Sequence, residues 1–67
     1  MKVDARGRVR FDIGEHHRIE ITRNGSMNLY RRSGRNGERR TWFCDPDLLL
    51  NPDTLARIDS ARRLAAG

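Results

Sequence analysis

The chain has 67 residues, 36% hydrophobic and 34% charged, with a formal net charge of +5, which describes one domain near the lower size at which a hydrophobic core holds unaided. A single cysteine, Cys44, excludes an internal disulfide, and no Cys/His set has the spacing of a structural metal site. The longest strictly apolar run, Leu48-Leu49-Leu50, is too short for a membrane span or a signal peptide, so a cytoplasmic location without membrane contact is expected.

Residues 1–7 show no sustained periodicity and read as a flexible arm carrying Lys2 and Arg6. Apolar residues then alternate with polar ones, which predicts strands near residues 8–13, 17–22, 27–32 and 39–43. Turn chemistry sets their register. Gly14-Glu15-His16 as a three-residue loop pairs Ile13 with His17, Phe11 with Ile19 and Val9 with Ile21. Arg23-Asn24-Gly25, with Gly25 in the left-handed position, pairs Ile21 with Met27 and Ile19 with Leu29. A two-residue Asn24-Gly25 loop would split the apolar set between the faces, so the longer loop is preferred. Arg35-Asn36-Gly37 as a third such loop places Tyr30 opposite Trp42 and Leu29 opposite Phe43. All three turns agree on one apolar face: Val9, Phe11, Ile13, Ile19, Ile21, Met27, Leu29 and Phe43.

Asp45-Pro46 and Asn51-Pro52 each offer a capping side chain followed by a proline suited to the first helical position. The first opens a short helical turn through Leu48-Leu49-Leu50. The second opens a C-terminal helix whose apolar positions, Leu55, Ile58, Ala61 and Leu64/Ala65, recur at helical spacing. This helix is expected to cover the apolar face. The fold class is therefore α+β, a small antiparallel sheet of three to four strands in β-β-β-β-α order with one face covered by the C-terminal helix. A homodimer is expected from the small core and from two edge strands protected only by charges.

Charge is unevenly distributed. Residues 1–44 carry eleven Lys/Arg against five Asp/Glu, +6, whereas residues 45–67 carry three against four, −1. Thirteen of the fourteen basic residues are arginine, the side chain that grips phosphates by forked hydrogen bonds and stacks on planar groups. The face turned from the helix should present Arg8, Arg10, Asp12, Arg18, Glu20, Thr22, Asn28, Tyr30, Arg32, Arg40 and Trp42, with Asp12 opposite Arg18 and Arg10 opposite Glu20 as cross-strand charge pairs and Tyr30 and Trp42 adjacent across a strand pair. Arg35 lies on a basic loop tip over residues 33–37.

Aromatic rings among arginines suit stacked bases and phosphates. Those arginines, with Asn28, Tyr30 and Trp42, are thus the candidate contact set of a small nucleic-acid-binding accessory or regulatory protein, its partner being DNA or RNA. The plan resembles that of DNA-binding modules that lay a helix-backed three-stranded sheet in the major groove, a likeness of architecture that assigns no residue roles. The competing reading is a non-enzymatic protein-interaction module that presents the same anchors to an acidic protein surface. No catalytic residue or cofactor is expected. His16 and His17 are adjacent and point to opposite faces, Cys44 has no base fixed by spacing, and no phosphate-loop, zinc-protease or nucleophile-elbow pattern occurs.

Overall fold

The computed structural model describes residues 1–32, 37–42 and 45–67. Its elements are β1 (Val9–Ile13), β2 (His17–Ile21), β3 (Met27–Arg32), β4 (Glu38–Arg40), α1 (Pro46–Leu49) and α2 (Pro52–Ala65), and the strands form one antiparallel sheet in the order β1-β2-β3-β4.

The first two hairpins have the expected register, with Val9, Phe11 and Ile13 facing Ile21, Ile19 and His17, and Ile19 and Ile21 facing Leu29 and Met27. The Arg23-Asn24-Gly25 turn shows why. Thr22 N–H donates to the Ser26 carbonyl at 2.9 Å, Gly25 N–H to the Thr22 carbonyl at 2.9 Å, and Ser26 N–H to Thr22 Oγ1 at 3.2 Å. Gly25 supplies the left-handed corner at φ +83°.

The third hairpin departs from expectation. Arg32 pairs with Glu38, Arg31 with Arg39 and Tyr30 with Arg40, a shift of two residues that leaves 33–37 between the strands. A two-residue shift keeps every side chain on its face but changes its neighbour. Tyr30 therefore faces Arg40 rather than Trp42, and Trp42 lies past the end of β4. The observed register places the Glu38 carboxylate among Arg10 and Arg18, at 3.2 and 2.6 Å; the expected one would have left it opposite Gly34. Phe43, Cys44, Arg35 and most of the 33–37 loop tip lie outside the described residues.

Both helix starts are built as the sequence suggests. Asp45 accepts from Asp47 N–H and Asn51 from Asp53 N–H, with Pro46 and Pro52 inside the first turn. The buried stripe of α2 is Thr54, Ile58, Ala61 and Ala65, whereas Leu55 and Leu64, expected in the core, are exposed. Alanine at 61 and 65 lets the helix backbone approach the sheet closely, and the bulkier leucines fall to its flanks. Ile58, Ala61 and Ala65 join Val9, Phe11, Ile13, Ile19 and Ile21 in the core.

The helix packs on β1 and β2 only in part of its expected span: α2 meets those two strands, while Leu29 is half-buried and Met27 is exposed on β3. The helix-side surface of β3 and β4 is thus left more open than a fully covered sheet. At the other edge, residues 1–7 contain more local order than their lack of periodicity suggests. Val3 bridges Val9, and the Asp4 carboxylate accepts from the N–H groups of Arg6 and Arg8, both at 2.9 Å. Those hydrogen bonds, that from Arg8 N–H above all, hold the Asp4 carboxyl below the usual aspartate range.

Candidate functional site

Strand alternation turns Arg10, Asp12, Arg18, Glu20, Asn28, Tyr30, Arg32, Glu38 and Arg40 away from α2. Over most of its area this is not a free cationic surface, because the guanidinium groups of Arg10, Arg18 and Arg32 are engaged with carboxylates. Arg8 contacts Asp4 at 3.0 Å and Glu20 at 3.2 Å; Arg10 lies 3.2 Å from both Glu20 and Glu38. Arg18 reaches Glu38 at 2.6 Å and Asp12 at 2.9 Å, and Arg32 reaches the same Asp12 at 3.1 Å. Two of these contacts, Arg10 Nε with Glu20 and Arg18 with Glu38 Oε1, lack hydrogen-bond alignment and act as charge contacts.

Glu20 is only 3% exposed although it sits on the face without a helix. Arg8 and Arg10 roof it, and Asn28 Nδ2 donates to it at 3.1 Å. A carboxylate so buried is tolerated because several donors surround it. Arg10 also lies over the Tyr30 ring, 5.6 Å from its centroid, so the tyrosine is partly covered rather than open for stacking.

The far end of the sheet is different. Arg31 and Arg39 face each other directly across β3 and β4, on the helix side, in a row that continues from His17. Both are exposed, and neither has a carboxylate within ion-pair reach among the described residues. Like charges directly opposite on a sheet cost a fraction of a kcal/mol. Among the described residues the partners of Arg40 are neutral: it donates to Asn28 Oδ1 at 3.1 Å and stacks on Trp42, 5.1 Å from the ring centroid. Arg31, Arg32, Arg39, Arg40 and Thr41 line an open groove of about 320 Å³. A smaller cleft of about 190 Å³ adjoins it, sharing Arg40 and Thr41 and walled by Met27, Leu29, Leu49 and Trp42.

Of the residues singled out in the sequence, Arg8, Arg10, Arg18 and Arg32 thus belong to the ion-pair lattice, and Asn28 and Tyr30 are held within it. Arg40 and Trp42 form a separate stacked pair at its margin. The sequence reading passed over Arg31 and Arg39. A signal was present: Arg31-Arg32 and Arg39-Arg40 are consecutive pairs, which alternation must divide between both faces. Among the described residues no group of three or more His, Cys, Asp or Glu side chains converges as a metal site requires, and no helix is long and apolar enough to cross a membrane. No protein-family model matches the chain, and neither does a curated protein or a solved structure.

Proposed function

We propose that this chain is a small nucleic-acid-binding accessory or regulatory protein whose contact region is the β3–β4 end of the sheet. The observation that supports this most is the contrast in charge compensation: Arg31 and Arg39 oppose each other with no counter-charge among the described residues, beside Arg32 and Arg40 on one open groove. A phosphate entering there removes a repulsion and breaks no ion pair of Arg31 or Arg39. A phosphate approaching Arg10 or Arg18 must compete with carboxylates 2.6 to 3.2 Å away. Forked guanidinium contacts favour phosphate as the anion.

The test is binding of short DNA and RNA at low salt, where electrostatic association is strongest. Affinity better than about 100 μM is expected, and Arg31→Ala/Arg39→Ala should weaken it by about tenfold or more. Absence of binding at that level, or full affinity in the double variant, overturns the proposal. Retention of a host protein by the wild-type chain after nuclease digestion, with no nucleic-acid affinity, would support the acidic-protein reading instead.

A further inference from the structure

We infer that the nucleic acid is single-stranded and that one unstacked base seats against Trp42, in the cleft beside the arginine groove; this rests on the nucleic-acid reading above. Trp42 is 87% exposed, an unusual position for an indole in a small domain. Arg40 stacks on the ring and is itself tied to Asn28, so the indole rests on a partner anchored to the sheet.

The cleft next to Trp42 combines Met27, Leu29 and Leu49 with the Thr41 position, and its volume of about 190 Å³ falls below the roughly 300–1,000 Å³ of sites for whole drug-sized ligands. It suits one planar group. The adjoining groove supplies cations where the connected phosphate would run. A base-sized apolar recess contiguous with a cationic track is the arrangement that stacking on single strands requires. Duplex DNA keeps its bases stacked, and withdrawing one costs a few kcal/mol. The broad sheet face that a major groove would accept is the lattice of satisfied ion pairs.

Recognition should tolerate sequence changes. Asn28, which lines the cleft, already donates to Glu20 and accepts from Arg40, so its side chain is held in the sheet. Stacking accepts any base, because every base has a planar face.

Three ligands of equal length separate the outcomes: a thymidine strand of about 15 nucleotides, an abasic strand with the same phosphates, and a duplex. Trp42 is the sole tryptophan, so its fluorescence reports directly. The thymidine strand should quench it and bind about tenfold or more tighter than the abasic strand. Trp42→Leu, which has no tryptophan and is followed by the anisotropy of labelled strands, should lose the preference for thymidine over abasic strands with its far-UV circular dichroism unchanged. Equal binding of thymidine and abasic strands, or duplex binding as tight as the thymidine strand, overturns the base seat and leaves the phosphate reading standing. No binding of any of the three overturns both.

Discussion

Two regions of one sheet handle arginine in opposite ways. Across β1 and β2, Arg10 faces Glu20 and Arg18 faces Asp12; across β3 and β4, Arg31 faces Arg39. The first region spends its cations on neighbouring carboxylates and thereby covers a sheet face that no helix protects. The second leaves Arg31 and Arg39 without a carboxylate among the described residues, beside an open groove that they share with the ion-paired Arg32. Net charge alone is therefore a poor guide to where an anion binds. On the proposed reading, the deciding property is whether each guanidinium already holds a carboxylate.

The comparison breaks most severely at the core beneath the paired region. Ile19 and Ile21 are fully buried, so Ile21→Ala should cost about 2–5 kcal/mol. Its cross-strand neighbour Met27 is 39% exposed, and Met27→Ala should cost about 1 kcal/mol or less. Urea unfolding of both variants measures the difference. A smaller loss is expected from Glu20→Ala. Breaking a fully buried pair costs about 3–5 kcal/mol, but Arg8 and Arg10 retain 29% and 33% side-chain exposure and can rehydrate. About 1–3 kcal/mol is the expected result in the same assay.

At the opposite end, Arg39→Glu should do the reverse. It replaces a like-charge pair with an attractive one and should raise stability by up to about 1 kcal/mol, yet abolish the proposed binding. Stability gained with function lost is the signature of a site kept uncompensated for a ligand. The smallest effect is expected at the N-terminal turn. The Asp4 carboxyl is held low chiefly by Arg8 N–H, so its support of the turn is complete above the usual aspartate range and lost as pH falls through the lowered value. Acid titration followed at the Arg8 amide by NMR should show a local change centred below that range. A midpoint above it would contradict the turn geometry.

Much of this fold is legible in the residues because its determinants are local. The Asn24-Gly25 signal and the alternation of Ile19, Ile21, Met27 and Leu29 specify one register, and the capped prolines specify two helix starts. The β4 register differs from the one the turn rule gives, and the observed register is the one that sets Glu38 beside Arg10 and Arg18, contacts between distant residues that no turn rule encodes. Helix facing is legible at Ile58, Ala61 and Ala65, which are buried, and differs only at Leu55 and Leu64, for a steric reason. Periodicity marks Leu55 and Leu64 as apolar, but close approach to the sheet selects Ala61 and Ala65. The candidate site was half legible. Arg40 and Trp42 carry visible chemistry, whereas Arg31 and Arg39 gain theirs only from facing each other.

The central claim, that compensation rather than arginine count locates the contact, is tested most directly by the salt dependence of affinity for the thymidine strand. Each phosphate contact to a single strand contributes about 0.7 to the slope of log affinity against log salt. Arg31→Ala and Arg39→Ala should each make that slope shallower by about 0.7. Arg18→Ala, compared under conditions where it remains folded, should leave the slope unchanged. A shallower slope in Arg18→Ala with wild-type slopes in the other two would contradict the account and return the contact to the broad sheet face.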